Sequence, residues 1–71
     1  MPKRQPTTYR VYEFLQAYQR RHDRPPTIRE IAAALNLATS TIDRHLGYLE
    51  KMRKIVREPH TARGIRLLGD E

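Results

Sequence analysis

Apolar positions recur with a helical period through the first fifty residues and with a strand period after that. Val11, Leu15 and Tyr18 fall at i, i+4 and i+7, and Phe14 widens the stripe. This predicts a first helix over about 8–22, with Thr7 or Thr8 as its cap. Arg20, Arg21 and His22 fill its last turn, where cations favour the negative end of the helix dipole. Asp23-Arg24-Pro25-Pro26 stops it, because proline pushes its predecessor out of helical geometry. Thr27-Ile28-Arg29-Glu30 then fits a capping box and opens a second helix over about 28–36. Ile28, Ile31, Ala32 and Leu35 line one face of it, and Asn36 suits a left-handed helix end. Leu37 anchors the turn, and Thr39 or Ser40 is the expected cap of a third helix over about 40–52. Ile42, Leu46 and Leu49 must face the core, which turns Ser40, Arg44, Gly47 and Lys51 outward with Thr41 and Tyr48 beside them.

The remaining chain changes period. Ile55-Val56-Arg57 and Ile65-Arg66-Leu67-Leu68 are short strand-like runs, at about 55–57 and 65–68. The segment between them, Pro59 to Gly64, is rich in turn residues, so the two runs read as a hairpin. The expected fold is mostly α with a small β-hairpin: a three-helix winged helix-turn-helix over 7–68. Residues 1–6 read as a flexible basic arm and 69–71 as a tail or linker start. The third helix would then lie in a DNA major groove, braced by the second, while the hairpin reaches adjacent backbone or the minor groove.

Composition narrows the function. The chain has 71 residues, so it is one domain, and a chain that short buries only about 60% of its unfolded surface. It has no cysteine, which removes disulfides and thiolate metal sites. No apolar run reaches the ~20 residues of a membrane span, and no hydrophobic segment follows the basic N-terminus as a secretory signal would require. A cytosolic protein is the default expectation. The net charge is +6, and eleven of the fourteen basic residues are arginine, which suits a polyanionic partner.

Each candidate contact has a plainer alternative. Arg44, mid-helix on the outer face, suits guanine O6 and N7; otherwise it is a solvated arginine beside an acid. Thr39, Ser40 and Thr41 are short donors at a helix start, one of them being only a cap. Asp43 could accept from cytosine N4, or serve structure alone. Gly47 costs about 1 kcal/mol inside a helix, and outward it lets another surface approach closely. Tyr48 and Lys51 would meet backbone. Thr27 and Arg29 open the second helix, Thr27 more as a cap than as a contact. His60, Thr61 and Arg63 form the expected exposed wing tip, with Arg63 a minor-groove or phosphate ligand. Arg57 and Arg66 read as solvent-facing strand residues. His22, His45 and His60 lack paired ligand spacing, so no metal or other cofactor is expected; His45 reads as a half-buried, hydrogen-bonded packing residue. Catalysis would need a nucleophile, a base and a pocket, so the chain is expected not to be an enzyme.

At these residues the chain also resembles a known family. Pro25–Leu37 (PPTIREIAAALNL), Ser40–Glu50 (STIDRHLGYLE) and Arg63–Leu68 (RGIRLL) are similar to the N-terminal DNA-binding domain of LexA-type repressors, across about residues 8–68. Two departures stand out. The start of the third helix is about one residue shorter, with Asp43-Arg44 where an acidic pair is usual. Arg53-Lys54 occupies the region where a glycine usually precedes the first wing strand. The resemblance implies a sequence-specific, double-stranded-DNA-binding transcriptional repressor acting on a palindrome. It also implies a C-terminal self-cleaving and dimerising domain. These 71 residues hold no such segment, so the chain reads as an excised domain or a stand-alone relative, monomeric or a weak homodimer on DNA.

No small-molecule substrate and no membrane partner are expected. The alternative is a winged-helix protein–protein module without DNA binding, since one fold serves both. Structured RNA is a weaker rival, because most of the tyrosines lie in the first helix rather than on a stacking platform.

Overall fold

The computed structural model describes residues 6–61 and 63–68. Three helices and a two-stranded hairpin follow in chain order: α1 (Thr7–His22), α2 (Ile28–Leu35), α3 (Thr39–Lys51), β1 (Ile55–Arg57) and β2 (Ile65–Leu67). The expected elements are all present, and each boundary lies within a residue of its expected place. Residues 1–5 of the arm and the 69–71 tail lie outside the described residues.

The core forms where the apolar stripes meet. Val11 and Leu15 of α1, Ile31 and Ala32 of α2, and Ile42, Leu46 and Leu49 of α3 are all buried. Ile55 and Ile65 bring both strands into the same cluster, so the hairpin is part of the core. Phe14, Ile28, Leu35 and Leu37 are half-buried against it. Tyr18 is half-buried too, with its ring 5.8 Å from Phe14 and 4.1 Å from His22.

The helix ends show which caps are local. α2 starts with a complete capping box: Glu30 N–H donates to Thr27 Oγ1 at 3.1 Å, and Thr27 N–H to Glu30 Oε1 at 2.9 Å. It ends at Asn36 in the left-handed conformation, φ 59°, as expected. The expected caps of the other two helices are corrected. Pro6 precedes α1 and Ala38 precedes α3, and neither supplies a side-chain cap. Thr7 and Thr8 lie inside α1, and the Thr8 hydroxyl is taken by His45 Nδ1 at 2.7 Å. Thr39 and Ser40 lie inside α3. The Leu37 N–H bonds back to Ala32 at 2.9 Å and its side chain packs on the core, so the extended residue before α3 falls at Ala38.

α3 ends in a Schellman turn. Lys54 N–H reaches Leu49 O and Arg53 N–H reaches Glu50 O, each at 2.9 Å. The left-handed residue in this turn is Arg53, φ 62°, where glycine is the least strained choice. The strands pair antiparallel with Ile55 opposite Leu67 and Arg57 opposite Ile65. Leu68 falls just outside β2, which ends one residue earlier than expected, although its N–H still bonds Lys54 O at 3.0 Å. Ile65 and Leu67 face inward and Arg66 faces solvent, as their alternation predicts. The hairpin is closed by Glu58 N–H to Gly64 O at 2.8 Å. A side chain at Gly64 would collide with the Glu58 carbonyl and come within 2.6 Å of the Thr61 methyl.

Candidate nucleic-acid interface

α3 is held from behind by Ile42, Leu46 and Leu49, which rotates a polar row outward. Ser40, Asp43, Arg44 and Lys51 are exposed, as is Thr39 one residue ahead. Gly47 and Thr41 are partly covered, and Tyr48 is exposed at the edge of the row. A Cβ built on Gly47 would meet nothing within 4 Å, so the glycine answers no packing demand inside this chain. With no side-chain cap at Ala38, the first-turn N–H groups of α3 are open to an external acceptor.

His45 lies on the flank of the row and fits its expected role. It is half-buried, bonded to Thr8 and edge-on to the Tyr48 ring at 5.4 Å between centroids. That contact ties the middle of α3 to the first turn of α1.

A second group gathers where α2 begins. Thr27, Ile28, Arg29 and Thr61 line one surface groove of about 390 Å³, so the loop of the hairpin stands beside the start of α2. Arg29, His60 and Thr61 are exposed. The Thr27 hydroxyl is engaged by the capping box, in keeping with its reading as a cap first. His60 takes a left-handed turn conformation, φ 65°.

Two arginine readings are revised by ion pairs. Arg63 is not a free cation at the wing tip. Its Nη1 donates to Pro25 O at 2.9 Å and to Glu30 Oε1 at 3.0 Å, and its Nη2 donates to Glu30 Oε2 at 2.9 Å. Only 34% of its side chain is exposed. The fork geometry of guanidinium against carboxylate explains the choice of partner. Arg57 also departs from its expected solvent-facing place. It shares the inward face of β1 with Ile55, and its Nη2 donates to Asp43 Oδ1 at 2.7 Å. Asp43 therefore faces outward with a cation already beside it. Arg66 does face solvent, as expected, and pairs with Glu58 at 2.8 Å.

The Arg63 hydrogen bonds hold the Glu30 carboxyl well below its ordinary range, at about 2. The Thr27 N–H adds to this lowering and partial desolvation opposes it. Arg63 is raised in turn, chiefly by its bond to Glu30. Among the described residues, Arg29, Arg44, Lys51 and Arg53 take part in no ion pair. Arg53 and Lys54 are exposed where the chain leaves α3, and the Lys54 ammonium stands 5.8 Å from the centre of the Tyr12 ring of α1. The pairings of Arg57 and Arg63 had no local signal, because their partners stand 14 and 33 residues away.

Among the described residues no group of three His, Cys, Asp or Glu is placed to hold a metal, and no helix is long and apolar enough to cross a membrane.

Two helices joined by a three-residue turn, a bracing first helix and a hairpin packed on the same core define a winged helix-turn-helix protein. The chain belongs to the LexA DNA binding domain family, whose model matches residues 2–64. It is 45% identical over 60 residues to LexA repressor 2 of Geobacter sulfurreducens, covering 83% of this chain and 30% of that protein. It is 44% identical over 62 residues to the LexA repressor of Brevibacillus brevis, covering 86% and 30%. It is 40% identical over 65 residues to the LexA repressor of Geobacter metallireducens, covering 90% and 32%. The chain thus spans about a third of the length of these curated relatives.

Proposed function

We propose that the chain is the DNA-reading part of a LexA-like transcriptional repressor that works by occupying double-stranded DNA. The observation that carries this reading is the outward row of α3, where Ser40, Arg44, Gly47 and Lys51 lie opposite a fully aliphatic back. A helix with that face fits a major groove. Arg44 suits a guanine edge, with Ser40, Thr41 and Asp43 as its neighbours in base reading. Thr39 and the open first-turn N–H groups suit a phosphate, as do Lys51 and Tyr48 further along. Gly47 lets the duplex approach the helix backbone. Arg29, Thr27, His60 and Thr61 fix register on the flanking backbone, and occupancy of a palindrome by two copies is the natural mode. The setting is the bacterial cytoplasm, on the nucleoid. Repression by occupancy requires no chemistry of this chain.

The test is binding to duplex DNA across a salt series. About four to six phosphate contacts would weaken binding roughly 10²- to 10³-fold between 50 and 200 mM salt. Absence of duplex binding at low salt would leave the protein-docking alternative standing. That alternative draws on an apolar groove of about 420 Å³ lined by Pro6, Tyr9, Tyr12, Leu49 and Met52, where Tyr9 and Met52 are about half exposed.

A further inference from the structure

The two ends of the Arg63 contact are unequal in stiffness. Glu30 is locked in the capping box of α2, and Pro25 stands beside the buried Pro26 in the link from α1. Both acceptors are therefore fixed to the helical body. Arg63 belongs to the hairpin loop, next to Gly64, whose carbonyl closes the hairpin. Among the described residues, the loop makes no other hydrogen bond to the helices or to the link between them. Its Thr61 is exposed, His60 is strained into a left-handed turn, and the strands are three residues each. Three charge-assisted donations from one planar guanidinium define a direction as well as a distance.

We propose that Arg63 is a positioning residue for DNA binding: clamped between Glu30 and the Pro25 carbonyl, it sets the wing loop against the start of α2. This rests on the duplex-binding function proposed above. The clamp brings Thr61 alongside Thr27 and Arg29, so that two separate stretches of chain meet one run of DNA backbone at a set spacing. Arg63 acts through the wing and does not itself touch the nucleic acid. Glu30, an acid within a DNA-binding surface, is tolerated there because its charge is satisfied internally by the same clamp.

Three variants separate this role from that of a phosphate ligand. Glu30→Gln keeps an oxygen for the Thr27 N–H, so the capping box survives while the ion pair is lost. Arg63→Lys keeps a cation for a phosphate but cannot form the fork. Arg63→Lys combined with Glu30→Gln closes a double-mutant cycle, read by duplex affinity, by salt slope and by amide exchange of Glu58 and Leu68, the N–H groups that close the hairpin. Each single variant is expected to lose roughly tenfold in affinity, with the double variant no weaker than either. Hairpin exchange should rise in all three, and α3 amides should stay protected. A phosphate-ligand role predicts the opposite pattern: Arg63→Lys binds like the parent, and Glu30→Gln binds as well or better. That pattern, or unchanged hairpin exchange, overturns the proposal. A parent chain that binds no duplex overturns the functional reading and this proposal together. A parent that binds alongside unaffected variants overturns the proposal alone.

Discussion

At the scale of single residues, chemistry is divided between side chains that hold the protein and side chains left free. Arg57, Arg63 and Arg66 each have an acidic partner, whereas Arg44 is exposed and among the described residues joins no ion pair. Its planar fork is therefore available to a base edge. Arg44→Ala, with folding unchanged by circular dichroism, is expected to cost about 1–3 kcal/mol of discrimination between the preferred duplex and one altered at the contacted base pair. Competition binding with the two duplexes measures it. Equal discrimination by parent and variant would remove Arg44 from base reading. The exposure of Arg44 was legible in the sequence because helical rotation from Ile42 and Leu46 fixes it. The commitment of Arg63 was not, because Glu30 reaches it only once α2 and the wing have docked.

At the scale of the element, α3 combines a tight aliphatic back with a front that carries a propensity cost. Gly47 has open space where a side chain would go, so Gly47→Ala should stabilise the fold by about 1 kcal/mol through helix propensity. The same methyl should weaken duplex binding if DNA lies against the helix backbone there. A thermal melt reads the first effect and a binding titration the second. A stabler variant with undiminished affinity would show that the glycine serves no close approach.

Helix caps show how far local pattern reaches. The Thr27–Glu30 box needs residues only three apart, so sequence suffices to find it. The starts of α1 and α3 are set by long-range facts, the Thr8–His45 bond across 37 residues and the seating of Leu37 on the core. Side-chain chemistry at Thr7, Thr39 or Ser40 does not encode those contacts. Arg53 is a related case. Its left-handed angle follows from where β1 must start, which a glycine there would have advertised and an arginine conceals.

At the scale of the whole molecule, a net charge of +6 on 71 residues must be held together by a small core, so the internal ion pairs influence pH stability as well as shape. The Glu30 carboxyl is lowered from 4.5 to about 2 on folding. Between those values the unfolded chain binds more protons than the folded one, so stability rises with pH. The contribution is fully present above pH 4.5 and is lost as pH falls toward 2. Thermal melts of parent and Glu30→Gln should therefore differ by a constant amount above pH 5 and converge as the pH approaches 2. A gap that does not narrow there would show that the difference does not come from the Glu30 charge.

The hairpin is fastened on two sides, through Arg57 to α3 and through Arg63 to the start of α2, and Ile55 and Ile65 are rooted beneath it. A body fastened in this way behaves as a caliper with its jaws locked at one opening. If its cargo is a duplex, any mismatch in groove width must be absorbed by the nucleic acid. Base pairs that no side chain touches would then be sorted by how readily they flex, and sites would differ in occupancy for reasons absent from any map of contacts.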